Sequence, residues 1–395
     1  MTTIVLKQGR AKPFFYGHPW VFSGSVARVD GQPANGQLVE VCDHRGQFIA
    51  RGFYNARSQI RVRLLTWDPD EAVDEALFER RLRQAVALRH DVLGLPAQTD
   101  AYRLVYSEAD GLPGLIVDRY ADWLVVQFLS LGLAQRRDMV VAALARACPG
   151  KALFERSDSD VADKEGIEPR VGALVGAEPP DTITAQVHGV RLHAALRGGQ
   201  KTGLFLDHRE NYLAVAPYAR GRRVLDGFCY SGAFGLFAQA RGGAAEVVAI
   251  ELSAEALDLA RRNAQLNGVE AIHFVQGNVF GELRRLRAEE QRFGMVILDP
   301  PKFARSAHDV PKALRGYKDI NLVAMQCLDR GGLLVSCSCS QHVDEPTFLA
   351  MLNDAATDIG REVQVLERRG QGADHPVAVS CPESRYLKCC ICRVI

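Results

Sequence analysis

The sequence predicts an α/β protein whose C-terminal half is a mainly parallel sheet with helices on both faces, preceded by a small β-barrel and a small α+β domain. Residues 1–70 form short apolar runs separated by Gly and Asn, which is typical of an all-β domain. Residues 71–180 begin with an amphipathic helix and continue with strand-like runs, which favours a separate α+β domain. In residues 181–395 strand-like and helix-like segments alternate, as in a parallel sheet with helical connections.

The composition describes a folded protein and excludes several classes. Of the 395 residues, 47% are hydrophobic and 24% charged, unlike a disordered or collagen-like chain. The longest apolar stretch, Trp123 to Ala134, falls well short of the roughly 20 residues of a membrane helix, and we expect a buried strand there. The N-terminus has no apolar run of signal-peptide length, and seven of the ten cysteines lie between Cys327 and Cys392 in apolar runs. We therefore expect a cytoplasmic protein with reduced thiols and no membrane association.

The charge distribution neither requires nor excludes a nucleic-acid partner. The whole chain has a formal charge of +1. Residues 1–70 hold nine basic and five acidic side chains, a local charge of +4. Arg51, Arg57, Arg61 and Arg63 are candidates for phosphate contacts, although for any single Arg an ordinary solvated surface is an equally good explanation.

The first candidate binding loop follows a strand that ends in Asp226. Gly227, Phe228, Ser231 and Gly232 form a tight, small-residue turn before a helix. Such a loop lets the backbone approach a ligand closely and suits an adenosine-bearing cofactor. It lacks the G-x-G-x-x-G pattern of dinucleotide sites, and Gly and Ser also punctuate ordinary turns.

Two further strand ends carry groups that suit the same ligand. Glu251 ends the next strand, 25 positions after Asp226, and can accept hydrogen bonds from ribose hydroxyls. Asn278 follows the third strand and offers a donor and an acceptor to an adenine edge. Three consecutive strand ends with suitable groups favour a cofactor site.

The fourth and fifth strands end in groups that can carry chemistry. Asp299 precedes Pro300, Pro301 and Lys302, and the two prolines stiffen this loop, although they could also simply end a strand. Cys337 and Cys339 share one face of the next strand, either as core residues or as a nucleophile that Lys302 helps to ionise. Since Cys389 and Cys392 form the one C-x-x-C pair among these cysteines, we expect no metal site.

Taken together, these motifs give the chain a resemblance to a known family. It resembles the bacterial large-subunit (23S) ribosomal RNA cytosine-C5 methyltransferases that carry an N-terminal PUA domain. The matching motifs extend over nearly the whole chain: Gly17 to Ser23, Glu108 to Arg119, Gln200 to Gly203, Leu206 to Arg209, the strand ends at Asp226, Asp299 and Cys339, and Ala373 to Pro376.

The resemblance implies a PUA RNA-binding domain in residues 1–70, a central α+β domain in 71–180 and a class I, Rossmann-like methyltransferase domain in 181–395. It implies S-adenosyl-L-methionine as cofactor, bound by the loops described above with Thr202 and Gly203. The implied partner is large-subunit ribosomal RNA.

The resemblance also assigns the two thiols. The family's Ser-Cys-Ser triplet falls on Ser338, Cys339 and Ser340, so Cys339 is the implied nucleophile and Cys337 an extra cysteine. A cysteine is needed because C5 of cytosine is too weak a nucleophile unless a thiolate first adds to C6. Asp299 is the implied partner of the N3/N4 edge of the base.

Two positions depart from the family pattern, and other functions stay open. Lys302 stands where many RNA cytosine-C5 methyltransferases carry a second cysteine, and Asn278 where methyltransferases often have Asp. Asp-Pro-Pro followed closely by Phe303 also resembles the motif of enzymes that methylate exocyclic amines. A non-catalytic RNA-binding assembly factor is a third interpretation. The sequence does not select among several alternatives: which cytosine is the target, whether naked RNA or an assembly intermediate is the substrate, which base removes the C5 proton, and whether the protein has one subunit or two.

Overall fold

The computed structural model describes residues 2–158 and 160–395, and its contacts divide the chain into two compact units. Unit 1 comprises Met1–Ala185, Ala194–Leu204 and Ala373–Ser384. Unit 2 comprises Gln186–His193, Phe205–Gly372 and Arg385–Ile395.

Unit 1 begins with a six-stranded sheet in the order β2-β6-β5-β4-β1-β3. Its pairs are antiparallel except for β1 with β4. In β4, Val39 and Val41 are buried whereas Glu40 between them is half-buried, as expected for a sheet with one face on a core. The elements are β1 (Thr3–Leu6), α1 (Lys12–Phe15), β2 (Trp20–Phe22), β3 (Val26–Asp30), β4 (Leu38–Cys42), β5 (Phe48–Tyr54) and β6 (Ile60–Thr66).

A five-stranded sheet in the order β11-β10-β9-β8-β7 completes unit 1. The predicted strand at Trp123 to Ala134 is confirmed only for its first half, since a short helix begins after Ser130. The elements are α2 (Glu75–Ala87), β7 (Ala101–Tyr106), β8 (Leu115–Tyr120), β9 (Trp123–Phe128), α3 (Leu131–Ala134), α4 (Arg137–Ala147), β10 (Ala152–Arg156), α5 (Asp160–Glu165) and β11 (Val171–Val175).

Segment Ala373–Ser384 belongs to unit 1 although it lies within the range 181–395. The buried Arg89 donates from Nη2 to the Asp374 carbonyl oxygen at 2.6 Å, and Asp374 Oδ2 accepts from the Arg103 backbone N–H at 2.9 Å. These bonds tie a distant part of the sequence to β7.

A two-stranded hairpin consists of β12 (Ile183–Val187) and β13 (Val190–Ala194). Its turn residues His188 and Gly189 have φ angles of +47° and +80°. Positive φ at both positions is typical of the tight turn that matches the twist of a hairpin.

Unit 2 is built on a seven-stranded sheet in the order β16-β15-β14-β17-β18-β20-β19. The first five strands are parallel, and β20 and β19 are antiparallel to their neighbours, so the predicted mainly parallel sheet is confirmed. The elements are α6 (Arg209–Val215), β14 (Arg223–Gly227), α7 (Ala233–Ala240), β15 (Glu246–Glu251), α8 (Ala254–Leu266), β16 (Ile272–Gln276), α9 (Val279–Ala288), β17 (Phe293–Leu298), α10 (Val310–Cys327), β18 (Leu328–Ser338), α11 (Glu345–Thr357), β19 (Val363–Arg369) and β20 (Lys388–Val394).

The strand order of unit 2 reverses between β14 and β17. From β14 the chain adds strands β15 and β16 on one side, and it then returns to add β17 and β18 on the other side. In open α/β sheets ligands bind outside the carboxyl ends of the strands at such a point. The loops after β14 and β17 therefore frame the site considered next. None of the helices within residues 2–158 and 160–395 has both the length and the apolar character needed to cross a membrane.

Candidate active site

The loop after β14 has an unusual backbone. Phe228, Tyr230 and Gly232 have φ angles of +63°, +47° and +77°. Positive φ at bulky residues costs roughly 1–3 kcal/mol each and is concentrated at functional sites. The Tyr230 backbone N–H donates to Glu251 Oε2 at 3.0 Å, which anchors the loop to the end of β15.

Asp226, at the end of β14, is fully buried. Its Oδ2 accepts from the Gly235 backbone N–H at 2.8 Å, in the first turn of α7. Its Oδ1 is buried without a hydrogen-bond partner among the described residues. Burial, with smaller contributions from Asp299 and Glu251, raises the pKa of Asp226 to about 7 despite the Gly235 hydrogen bond.

Close packing limits the side chain at Gly227, and backbone hydrogen bonds hold Glu251. A Cβ at Gly227 would lie 3.1 Å from side-chain atoms of both Leu298 and Val279, so a larger residue would require these neighbours to shift. Besides Tyr230, Glu251 accepts through Oε1 from the backbone N–H groups of Leu252 at 2.8 Å and Ser253 at 3.0 Å. Leu252 is 63% exposed, an apolar side chain beside this carboxylate.

Ser231 and Asn278 take part in local structure. Ser231 is buried, and its carbonyl oxygen accepts from Asn263 Nδ2 at 2.9 Å. Asn278 is exposed and caps α9, because its Oδ1 accepts from the Phe280 backbone N–H at 3.0 Å. Contact between Asn278 and an adenine stays a prediction.

Thr202 and Gly203 lie in unit 1, whereas the other predicted cofactor residues lie in unit 2. Thr202 is fully buried and donates to Asp118 Oδ2 at 2.6 Å, and its hydroxyl lies 2.9 Å from that of Tyr120. Gly203 has a φ of +146°. Thr202 therefore supports a buried carboxylate of unit 1, and its role toward a cofactor stays a prediction.

Asp299 follows β17 and meets a histidine that the sequence reasoning did not single out as functional. His208 Nε2 lies 3.3 Å from Asp299 Oδ1. The imidazole is buried, which alone would lower its pKa, but the charge and hydrogen bond of Asp299 outweigh burial and raise the pKa of His208 to about 9. The available signal was the position of His208 within the motif Leu206 to Arg209.

The two thiols of β18 have different environments. Cys337 is fully buried and stands opposite Cys389 of β20. Burial raises the pKa of Cys337 well above its usual value. Cys339 is half-buried and lies just beyond the end of β18. Of the two, Cys339 is the thiol that a ligand can reach from solvent.

Hydroxyl groups fix the backbone around Cys339. Ser338 Oγ donates to the Tyr317 hydroxyl at 3.0 Å, and that hydroxyl lies 3.0 Å from Ser340 Oγ. Ser340 Oγ also accepts from the Ala304 backbone N–H at 3.2 Å, which joins the loop after β17 to the end of β18.

A buried lysine that the sequence reasoning missed lies next to this segment. Lys388 Nζ donates to the carbonyl oxygens of Ser340 and Tyr386, both at 2.7 Å. Burial lowers the pKa of Lys388 to about 8, although the neighbouring Cys339 raises it. Lys302, by contrast, is exposed. No local sequence pattern connects Lys388 with Cys339, because Lys388 begins a strand 49 positions later in the chain.

One of the four arginines proposed for phosphate contacts is in the wrong place for that role. Arg63 is buried and forms ion pairs with Glu108 at 3.0 Å and Glu165 at 3.1 Å, so the phosphate prediction is wrong for it. A local charge count cannot separate surface arginines from paired ones. Arg57 is exposed.

Comparison with known proteins identifies the family. Residues 4–67 match the family described as PUA-like domain, and residues 168–379 match the family described as S-adenosylmethionine-dependent methyltransferase. Ribosomal RNA large subunit methyltransferase I of Photobacterium profundum is 46% identical over 396 residues, covering 100% of this chain and 99% of the relative. The chain belongs to the ribosomal RNA large subunit methyltransferase I family.

Two further relatives agree with this assignment. The family member from Erwinia tasmaniensis is 44% identical over 394 residues, covering 99% of both chains. The structure of a protein from Streptococcus mutans described as an S-adenosylmethionine-dependent methyltransferase matches with a TM-score of 0.86, 20% identity and 100% coverage of both chains, which shows the shared fold.

Membership in this methyltransferase family means that the cofactor is S-adenosylmethionine, and the site fits it. The buried, unpartnered Asp226 Oδ1 is an acceptor that a ligand donor would satisfy. The exposed Leu252 offers an apolar surface beside the end of β15. These features suit a ligand with polar hydrogens and a flat ring.

Among the described residues, two groups have the composition of metal ligands: His208, Asp299 and Cys337 in unit 2, and His18, Cys381 and Glu383 in unit 1. A histidine that binds metal through Nε2 carries its proton on Nδ1 and donates it to an acceptor. Here His208 Nδ1 lies 3.2 Å from the amide nitrogen of Asn211, and His18 Nδ1 accepts from the Trp20 backbone N–H at 3.2 Å. Both arrangements place the proton on Nε2 and do not suit a metal ion.

Proposed function

We propose that the protein transfers a methyl group from S-adenosylmethionine to C5 of a cytosine in large-subunit ribosomal RNA, through a covalent adduct of Cys339 with C6. The half-buried thiol of Cys339 at the carboxyl end of β18 is the observation that carries this proposal. In the register of β17 and β18, Leu298 is paired with Ser336, so Asp299 and Cys339 emerge at the same edge of the sheet. The names of the relatives support the ribosomal RNA substrate.

The chemistry of cytosine explains the need for these two groups. The Cys339 thiolate adds to C6 and forms the S–C6 bond, which moves an electron pair into the ring and makes C5 nucleophilic. Asp299 holds the N3/N4 edge of the base, where its carboxylate accepts a hydrogen bond from the N4 amino group. S-adenosylmethionine, when bound, supplies an electrophilic methyl group. Once C5 carries the methyl group, a general base removes the C5 proton, the electron pair of that C–H bond forms the C5=C6 double bond, and the S–C6 bond breaks to release the thiolate.

Lys388 and the hydroxyl network give Cys339 the surroundings that such a nucleophile needs. The buried ammonium group of Lys388 is bound to the carbonyl oxygen of Ser340, the residue after Cys339, and a positive charge in this place favours a thiolate over a neutral thiol. The contacts of Tyr317 with Ser338 and Ser340 restrict the backbone on both sides of the thiol. The target base inside folded RNA must be single-stranded or flipped out to reach this pocket.

The PUA-like domain in residues 4–67 supports RNA as the partner. Exposed basic residues of this domain, such as Arg57, are available for phosphate contacts. We also propose that the protein works in the cytoplasm, where its ten free cysteines stay reduced.

Methylation of an exocyclic amine is the second candidate, and the position of Phe303 argues against it. In that chemistry an aromatic side chain near the Asp-Pro-Pro motif must be free to stack on the base. Here the Phe303 ring packs 4.6 Å from the ring of Tyr317 and 6.0 Å from that of Phe280. The aromatic group is therefore already used in packing.

Nucleoside mass spectrometry tests the proposal directly. Unmodified large-subunit ribosomal RNA is incubated with the protein and methyl-labelled S-adenosylmethionine, with Cys339→Ala and Cys337→Ala as matched variants. We expect label in 5-methylcytidine with wild type and Cys337→Ala, and none with Cys339→Ala. Label in an N-methylated nucleoside that persists in Cys339→Ala would assign the enzyme to the amine-methylating class, and loss of activity only in Cys337→Ala would move the nucleophile to the other thiol.

A further inference from the structure

We propose that His208 is a positioning residue for Asp299, held in place by Asn211 and Arg369 through a chain of hydrogen bonds that all point toward the Asp299 carboxylate. This inference rests on the proposed function, in which Asp299 binds the target base. It concerns a buried imidazole for which the chemistry above has no other use.

The chemistry of the partners determines which atom donates and which accepts in each of these hydrogen bonds. Arg369 Nε lies 3.0 Å from Asn211 Oδ1, and an arginine nitrogen can only donate. Asn211 Nδ2 lies 3.0 Å from the Gly370 carbonyl oxygen, which can only accept. These two neighbours determine which amide atom is oxygen and which is nitrogen.

The fixed amide in turn determines the tautomer of the histidine. Asn211 Nδ2 lies 3.2 Å from His208 Nδ1, so Nδ1 must accept and the proton of the neutral ring lies on Nε2. Nε2 faces Asp299 Oδ1 at 3.3 Å. Since the imidazolium ion also carries a proton on Nε2, His208 faces Asp299 as a donor in both protonation states.

The other groups around His208 leave Nε2 to Asp299. The ring is packed between aromatic neighbours. The centroid of the stacked Tyr212 ring lies 6.0 Å from that of His208, and the centroid of the edge-on Phe234 ring lies 5.2 Å from it. The titratable neighbours besides Asp299 include Tyr212, Asp207, Cys337 and Cys389. The Tyr212 hydroxyl donates to the Phe205 carbonyl oxygen at 3.1 Å, Asp207 accepts from the Tyr386 hydroxyl, and the two thiols stand opposite each other in β18 and β20.

The consequence for Asp299 is a fixed orientation. Its side chain is 20% exposed, and with Oδ1 directed at His208 the other oxygen is available to accept from a base. The separation of 3.3 Å is longer than a strong charge-assisted hydrogen bond, and such contacts often shorten when substrate binds. His208 therefore acts through Asp299 and does not itself touch the base.

The first test is kinetic and compares two histidines that each face a carboxylate. His208→Phe keeps the aromatic packing but removes the donor, and His208→Gln restores a donor. His188→Phe is the control, because His188 is also an interior imidazole of unit 2 facing a carboxylate, with Nε2 3.7 Å from Glu210. For transfer to ribosomal RNA we expect kcat to fall about 10- to 100-fold in His208→Phe, KM for S-adenosylmethionine to change less than about 2-fold, and His208→Gln to recover most of the rate.

Three results would overturn the inference. They are an unchanged kcat in His208→Phe, no recovery in His208→Gln, or an equal loss in the His188→Phe control. A melting temperature measured for each folded variant separates loss of positioning from loss of structure.

The second test does not need activity and therefore separates this inference from the proposed function. The ring nitrogens of ¹⁵N-histidine-labelled protein are recorded by NMR above the His208 pKa of about 9, and the His208 signals are assigned by their absence in His208→Phe. We expect a protonated Nε2 and an unprotonated Nδ1, and a proton on Nδ1 as well as on Nε2 in Asn211→Asp, whose carboxylate can accept. A proton on Nδ1 in the wild type would contradict the chain of hydrogen bonds, whereas wild type with this tautomer but no 5-methylcytidine product would contradict the proposed function alone.

Discussion

Two buried arginines of unit 1 and the buried Asp226 of unit 2 have different surroundings. In unit 1, buried arginines are matched by carboxylates: Arg103 with Asp118 at 2.7 Å and Arg89 with Asp110 at 2.7 Å. In unit 2, the fully buried Asp226 has one backbone donor and an oxygen with no partner among the residues that the structure describes, and it lies at the edge of the sheet. Paired charges indicate a structural role, and a buried acceptor without a partner indicates a ligand site.

This difference predicts that the same kind of substitution has different consequences in the two units. Removing a charge from unit 1 leaves its partner buried and unpaired, so the protein should lose stability. Removing a charge from the sheet edge of unit 2 relieves a desolvated carboxylate, so the protein should lose binding and keep its stability.

The largest effect is expected for Arg103→Met. Arg103 makes two contacts with the fully buried Asp118, at 2.7 and 2.8 Å. Breaking a buried ion pair from one side costs about 3–5 kcal/mol, because the remaining carboxylate is left without its counter-charge. Urea unfolding measures this loss in free energy.

Arg28→Ala is the control for that measurement. Its ion pair with Asp30 lies on the surface of the same unit, with the two side chains 62% and 48% exposed, and removing it should cost no more than about 1 kcal/mol. If Arg103→Met were no less stable than Arg28→Ala, the structural interpretation of the buried pairs in unit 1 would be wrong.

The second prediction concerns Asp226→Asn, which exchanges a carboxylate for a neutral group of the same shape. The variant keeps an oxygen for the Gly235 N–H but replaces the unpartnered acceptor by a donor. We expect the affinity for S-adenosylhomocysteine, measured by calorimetry, to fall about 10- to 100-fold, with no loss in the free energy of unfolding. Unchanged affinity would remove Asp226 from the cofactor site.

The same variant predicts a pH dependence with a definite sign. The folded-state pKa of Asp226, about 7, lies above its ordinary value of 3.8, so the folded state binds the proton more tightly than the unfolded state. This contribution to stability is therefore present at low pH and is lost as pH rises from about 4 to about 7. The stability of Asp226→Asn relative to wild type should increase over that window in urea unfolding, and a constant difference would contradict it.

Much of unit 2 could be predicted because its information is local in the sequence. Each parallel strand is a short apolar run followed at once by its polar end, so Asp226, Glu251 and Asp299 could be placed at one edge from the order of segments alone. The half-buried Cys339 follows the same logic, since it comes directly after the strand.

Other parts depend on contacts between distant segments and left no local signal. His208 meets Asp299 from a segment before the first strand of the sheet, and Lys388 reaches Ser340 from the last strand. Arg63 looked like a surface charge until its two glutamates, 45 and 102 positions away, were seen beside it. Sequence patterns report which residues end strands, but not which side chains meet across the fold.

The smallest effect is expected for the alkylation rate of Cys339 when one of two nearby lysines is replaced. Lys388 is buried and held by the Ser340 carbonyl, whereas Lys302 is exposed and its charge is screened by water. We expect Lys388→Met to slow alkylation of Cys339 by iodoacetamide at neutral pH about 10-fold and to move the midpoint of its pH dependence upward. Lys302→Met should change the rate less than about 2-fold.

The pH dependence decides between an electrostatic and a purely structural role for Lys388. If Lys388→Met only disturbed the backbone at Ser340, the rate at high pH would change while the midpoint stayed where it is in the wild type. Peptide mass spectrometry assigns the label to Cys339 among the ten cysteines. A larger shift in Lys302→Met than in Lys388→Met would make the exposed lysine the one that activates the thiol, because burial would then not determine the strength of the interaction.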